Sequence, residues 1–255
     1  MAVLPTSPQQ VSSDLQSDLQ NPPIWGVFFC PHAIQPMILG NNFIWLHLPK
    51  TGGTSTAGYF RELNIPGIQI DRDEEDAKHD SVETRIGSLD YGKNKLTIIT
   101  SRRLVSWLLS DWHHKTIKMG LNLPFEPTKS GLFYSLRLGG TWVAADYWLQ
   151  YFSATCCDRV VRLENLQEDT KKWVLPLLPA GTPNLQFPNR NTNQYERNIE
   201  FYYGERDLKR IYSNNPVWSE WEQTIYGDQS SINPYRRLIS KFKKIRGSET
   251  YQPSR

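Results

Sequence analysis

The stretch FIWLHLPKTGGTST, residues 43–56, decides how the rest of the chain is read. An apolar run stops at Pro49; Lys50, two glycines and four hydroxyl residues follow within seven positions. A short apolar run bounded by turn residues reads as a buried strand, Phe43–Leu48, and the segment after it, Thr54–Leu63, reads as a helix. In an open parallel sheet, ligands sit outside the carboxyl ends of the strands. A loop there that opens a helix presents unpaired N–H groups and a partial positive charge. Gly52 and Gly53 let an anion approach the backbone, Thr51, Thr54, Ser55 and Thr56 add hydroxyls, and Lys50 adds a cation. The sum is a cradle for phosphate or sulfate. The triphosphate pattern GxxxxGK[ST] does not fit, because here the lysine precedes the glycines.

Two further segments repeat the strand-then-helix order. Leu96–Thr100 precedes a helix predicted over Leu104–Lys118, and Arg159–Leu163 precedes one over Leu166–Leu178. Another helix is expected over Gly140–Ser153, and residues 196–226 carry helical periodicity rich in Tyr and Trp. Strands alternating with helices argue an α/β fold with a mostly parallel central sheet and right-handed crossovers. Residues 1–23 are rich in Gln, Ser, Asp and Pro and read as a disordered segment; Ile24–Phe29 reads as a short strand or an apolar anchor. The domain is expected over 24–227, with a polar, basic tail over 228–255.

Composition narrows the class. The 255 residues are 38% hydrophobic and 12% aromatic, enough for one substantial core, and the formal charge is only +3. That charge is too weak to argue by itself for a nucleic-acid partner, none is expected, and it suits local handling of anions. Cys30, Cys156 and Cys157 form no CxxC or Cys/His pattern, so neither a disulfide framework nor a zinc site is expected. No apolar run is long enough to span a bilayer, and no signal-peptide pattern opens the chain. A soluble, reducing, cytoplasmic location is the expectation.

HLPKTGGTST resembles the 5′-phosphosulfate loop of sulfotransferases that use 3′-phosphoadenosine 5′-phosphosulfate (PAPS), closest to carbohydrate sulfotransferases with the pattern His-x-Pro-Lys-Thr-Gly-Gly-Thr-Ser. The resemblance implies a P-loop-like three-layer fold with helices flanking the sheet. It implies that Lys50 holds the bridging and sulfuryl oxygens and that Thr51–Thr56 hold the 5′-phosphate. PAPS also carries a 3′-phosphate, for which the family uses an arginine directly after a strand and a serine eight residues later. LTIITSRRLVSWLLSDW, residues 96–112, has Arg102 and Ser110 at that interval. Two departures stand in the same segment: Arg103-Leu104 replaces the family's Asp-Pro, and Trp107 replaces a frequent second arginine.

Sulfuryl transfer to a hydroxyl needs a base. The histidines are His32, His47, His79, His113 and His114. His47 belongs to the loop motif, and His113 and His114 read as packing or solvent-facing residues. His79, between the two anion motifs, is the candidate base, with Glu74, Glu75 or Asp80 as alternatives. RVVRLENLQEDTKKWVLPLL at 159–178 resembles a family strand-to-helix segment, where Glu164 is structural or orienting. PNRNTNQY at 188–195 resembles the family's C-terminal stretch, which brings Arg190, Asn191 and Thr192 to the nucleotide. The acceptor is expected to be a hydroxyl on a carbohydrate, met by loops within 64–90 and 120–139, with Trp112, Phe125, Phe133 and Tyr134 as stacking candidates. No metal is expected, since side chains supply the cations. Two other readings stay open: a homologue that binds the nucleotide without catalysis, and a nucleotide-dependent kinase.

Overall fold

The chain alternates apolar strands with amphipathic helices, and a computed structural model describes residues 38–70, 94–188, 195–196 and 198–227. All of these fall in one compact unit, residues 32–255. Seven strands occur among the described residues: β1 (Ile38–Leu39), β2 (Phe43–Leu46), β3 (Gln69–Ile70), β4 (Leu96–Ser101), β5 (Leu132–Ser135), β6 (Thr141–Ala144) and β7 (Arg159–Arg162). The α-helices are α1 (Gly53–Leu63), α2 (Leu104–His113), α3 (Glu126–Lys129), α4 (Asp146–Tyr151), α5 (Leu166–Trp173), α6 (Glu205–Ser213) and α7 (Pro216–Tyr226).

Five strands form the central sheet in the order β3-β1-β2-β4-β7. β2, β4 and β7 are mutually parallel, with Trp45 beside Ile98 and Ile99 beside Val160. β1 is antiparallel to both β2 and β3, so β3 again runs with β2 and four of the five strands point one way. The fold is therefore mixed α/β with a mainly parallel sheet, as expected from the alternating segments.

Every residue of β2 is buried, because both faces of the sheet are covered. Phe43, Trp45, Ile98 and Val161 pack with Ala57, Tyr59 and Phe60 of α1 and with Val174 beyond α5. Ile44, Leu46 and Ile99 pack with α2, α4, α6 and α7 through Trp107, Leu149, Ile211 and Trp218. The period-two alternation of β2 thus feeds two cores, one on each face.

Several boundaries differ from expectation. The helix predicted over Gly140–Ser153 is instead β6 followed by α4. β6 pairs antiparallel with β5 in a separate hairpin, Tyr134 opposite Trp142. Gly139 and Gly140 both have positive φ in the connection, which lets the chain reverse, so 132–144 is a hairpin and not loop plus helix. The helix over Leu104–Lys118 is α-helical only to His113 and widens into a π-helical turn over His114–Lys118. α5 ends at Trp173, and a 3-10 turn with Pro176 follows at Leu175–Leu177, since proline cannot continue the ladder. The helical stretch over 196–226 breaks at Asn214 and Asn215 into α6 and α7, with Pro216 opening the second. No helix among the described residues is long and apolar enough to cross a membrane.

Candidate functional site

β2 and β4 are parallel neighbours, so the loops after them emerge at one edge of the sheet. The first loop carries Lys50, in the left-handed region at φ 64°, and Gly52 at φ 85°. Gly52 is the N-cap of α1, and no side chain caps that end. A Cβ on Gly52 would lie 2.6 Å from Leu163 Cδ1, and one on Gly53 would lie 2.0 Å from His47 Nε2. The loop is therefore squeezed between the His47 ring and the turn after β7, and only bare backbone fits. The Thr51 hydroxyl donates to the Leu48 carbonyl at 2.6 Å, and the Thr56 hydroxyl donates to the Gly52 carbonyl at 3.1 Å. Both side chains are buried, so these two hydroxyls brace the loop from inside; Thr54 and Ser55 are the half-exposed ones.

Arg102, at the end of β4, reaches across to this loop. Its Nη1 donates to the Lys50 carbonyl at 3.0 Å. Trp107, one turn into α2, donates its indole N–H to the Pro49 carbonyl at 2.6 Å while its ring packs on Phe133 and Trp218. Trp107 is thus a strut holding the loop to α2. Ser110 lies in α2 and is 4% exposed.

The same face of α2 carries charge. Asp111 follows Trp107 by four residues, and Lys115 follows Asp111 by four, so the three stack along one side. Lys115 is 8% exposed, donates to the Asp111 carboxylate and lies 5.0 Å from the centre of the Phe133 ring. Burial brings the Lys50 ammonium down to about 8; Asp111 opposes that fall, and Arg102, Lys118 and Lys115 add to it. Three cations and one carboxylate thus act on the Lys50 charge. Burial also pushes Asp111 up, against the pull of Lys115 and Lys50. Sequence reasoning passed over Asp111 and Lys115; their four-residue step from Trp107 was the available signal.

The start of α2 is capped from elsewhere in the fold. Arg103 is the N-cap position and contributes no side-chain cap bond. Instead the Leu104 N–H donates to Glu222 Oε2 of α7 at 2.8 Å, and the Arg103 N–H donates to Glu164 Oε1 at 3.2 Å. Arg103 itself pairs with Glu222 at 3.2 Å and lies over the Tyr226 ring. Tyr212 donates to Glu222 and Tyr226 donates to Glu164. Glu164 thus ties the start of α2 to the end of α7. Two distant carboxylates thus do for this helix start what a capping aspartate would do.

His113 is buried at 8% exposure, stacked on Tyr195 and within 3.2 Å of the Tyr202 hydroxyl, and burial lowers its pKa. It is a packing residue, on the opposite side of α2 from Asp111. Phe133, expected as a stacking platform, is core. Trp112 and Phe125 pack edge-on at 4.8 Å. A groove of about 410 Å³ runs along β7, lined by Arg159, Arg162, Asp169 and Trp173 among others; no cradle residue borders it. Among the described residues no group of three or more His, Cys, Asp or Glu side chains is arranged to hold a metal. His79 with Glu74, Glu75 and Asp80, and Arg190 with Asn191 and Thr192, lie outside the described residues, as do His32, Cys30, residues 1–37 and residues 228–255.

No family model matches the chain, and no curated protein or solved structure is significantly similar to it. The site's chemistry has to be read from its own residues.

Proposed function

We propose that this chain is a PAPS-dependent sulfotransferase on a P-loop-like α/β fold, passing a sulfuryl group to an acceptor hydroxyl, with a carbohydrate as the acceptor class. The observation that carries the reading is the hydrogen bond from Arg102 to the Lys50 carbonyl. It joins the two anion motifs, 52 residues apart, at a single sheet edge. The cradle fits a phosphosulfate: bare backbone at Gly52 and Gly53, an uncapped helix start, and a surplus of cations.

Bound PAPS supplies an activated sulfuryl group whose S–O bond to the phosphate breaks as the acceptor oxygen bonds to sulfur. Lys50 and the α1 N–H groups stabilise the charge that collects on the bridging and phosphate oxygens. An ammonium with a pKa near 8 is charged at neutral pH, and it donates to a leaving oxygen more readily than an ordinary lysine does. Arg102 holds the Lys50 backbone and offers the rest of its fork to the donor's 3′-phosphate, to which Ser110 is assigned as a second donor. The acceptor proton passes to a base, for which His79 is assigned, or a carboxylate among Glu74, Glu75 and Asp80.

Radiolabelled sulfate transfer from PAPS to a panel of glycans, phenols and lipids tests the proposal. Transfer to a glycan is expected. Lys50→Ala should lower turnover about 100-fold or more, on the order of 3 kcal/mol, the loss seen when one donor to a developing oxyanion is removed. Turnover within a few fold of the parent would remove Lys50 from the chemistry.

A second reading draws on the capping of α2. Because Glu222 and Glu164 accept the first N–H groups of that helix, a 3′-phosphate cannot use them. With Arg103-Leu104 and Trp107 departing from the family pattern as well, a homologue that has lost catalysis would hold the nucleotide through the α1 loop and Arg102 alone. Binding of adenosine 3′,5′-bisphosphate, with no transfer to any acceptor, would favour it.

A further inference from the structure

We propose that the free edge of β7 is a docking site for an extended partner peptide in which acidic and aliphatic residues alternate. The site is separate from the anion cradle and does not depend on the sulfotransferase reading.

β7 is the outermost strand of the sheet, and among the described residues it pairs only with β4. The bonds around it show which backbone groups are left over. The Leu96 N–H donates to the Asn42 carbonyl at 2.9 Å, on the β2 side, so the next residue, Thr97, faces β7. Its N–H donates to Asp158 Oδ2 at 2.7 Å. At the other end of β7 the Arg162 N–H donates to Asp169 Oδ2 at 2.9 Å, away from β4. Val160, two residues earlier, shares that orientation. Its N–H and C=O therefore point out of the sheet, into the groove of about 410 Å³ that it lines. Asp169 closes the Arg162 end, which leaves Val160 as the pairing point for an added strand.

The two walls of the groove differ. On the α5 side, Arg159 lies 5.5 Å and Lys172 4.2 Å from the centre of the Trp173 ring. Both cations are exposed, and neither is in an ion pair among the described residues. The other wall is apolar: Val160 and Ile225 of α7 pack on the core at one face of the sheet, Trp173 on the core at the other. A strand laid along β7 turns successive side chains to opposite faces, so one set meets the cations and the other the aliphatic side chains. Acidic residues complement the first wall and aliphatic residues the second. A second copy of this chain fits poorly, because it brings its own Arg159 and Lys172 to the same wall, like charge against like. An anionic glycan meets the cations but has no period-two pattern for the apolar wall, and the two cations already lie over the indole on which a sugar would stack.

The test uses the full-length protein and an acetylated, amidated peptide, Glu-Val-Glu-Val-Glu-Val. The block peptide Glu-Glu-Glu-Val-Val-Val and a heparin-derived hexasaccharide serve as comparisons. Isothermal titration reads affinity, and hydrogen exchange by NMR reads the Val160 amide. The alternating peptide should bind most tightly and slow exchange at Val160. Arg159→Glu combined with Lys172→Glu should weaken it about tenfold, since two exposed charge contacts are reversed. Val160→Pro removes an N–H that lies outside the ladder and should weaken it about threefold to tenfold. The charge variants sit at exposed positions and report even if the proline variant folds poorly. No binding of the alternating peptide at millimolar concentration would overturn the proposal, as would equal affinity for the block peptide or unchanged exchange at Val160. Tighter binding of the hexasaccharide would overturn it in favour of an anionic glycan. A dimer that Val160→Pro dissociates would overturn it in favour of a second copy.

Discussion

At the scale of single residues, Lys50 is unusual in two ways at once. Its backbone is left-handed at φ 64°, which for a residue with a Cβ costs about 1–2 kcal/mol, and its ammonium is partly withdrawn from water. Arg102 holds the carbonyl of that strained unit in place. Because the cradle needs the charged form, its affinity for an anion should be full below pH 8 and decline as the pH rises through that value. Isothermal titration with inorganic pyrophosphate at pH 6.5, 8 and 9.5 measures this; constant affinity across the range would count against a role for the Lys50 charge.

Gly53 offers a second residue-scale prediction. An added methyl would collide with the His47 ring, so Gly53→Ala should destabilise the protein by about 1–3 kcal/mol, as overpacking does. Adding His47→Ala should recover part of that loss in urea denaturation. If the double variant is no better than the single one, the contact is not what excludes a Cβ. The glycines and the lysine were legible in the sequence because residue types report backbone demands directly. The inward turn of the Thr51 and Thr56 hydroxyls was not, because their partners, the carbonyls of Leu48 and Gly52, exist only once the loop is folded.

At the scale of elements, α2 is the hinge of the site, and its first turn depends on α7. Glu222 accepts from Leu104 N–H, Arg103 and Tyr212 together. Burial raises its pKa, and those three partners hold it down. Glu222→Gln removes the charge that Arg103 and the helix start require, and should cost about 1.5–3 kcal/mol, the range for hydrogen bonds to a charged group. Equilibrium urea unfolding measures it, and a loss under 0.5 kcal/mol would show that water caps α2 equally well. The strand β4 and the helix after it were readable from period and composition. Their cap was not, since it comes from 118 residues away. The hairpin β5–β6 was legible in principle: LFYS, a Gly-Gly turn and TWVA carry its pattern, but the turn signal was outweighed by the helical run that begins at Asp146. β1 and β3, two residues each, are too short to leave a periodic trace.

At the scale of the whole molecule, Asn215 joins parts that the sheet does not. It is fully buried, donates to the Gly131 and Ile211 carbonyls at 2.9 and 2.8 Å, and accepts from the Asp146 N–H at 3.1 Å. Asp146 in turn accepts from Val217 and Trp218, so the β5–β6 hairpin, α4, α6 and α7 meet at one polar knot. Asn215→Ala leaves three buried groups without partners and should cost at least about 3 kcal/mol. The denaturant slope should stay constant if those elements unfold together; a split transition would show that the hairpin and α7 form a separate cooperative unit.

The bond from Arg102 to Lys50 has a consequence for how the protein comes to be active. Its ends are 52 residues apart, the strut from Trp107 to Pro49 spans 58, and the cap on α2 spans 118. A nascent chain that has emerged only through Thr56 therefore holds every residue of the glycine loop and none of its binding power. The longest of these spans closes only when α7 has docked. If the loop binds an anion as proposed, a chain that has not closed these contacts should bind it more weakly than the folded protein. By mass action the ligand would stabilise the last-formed contacts along with the first.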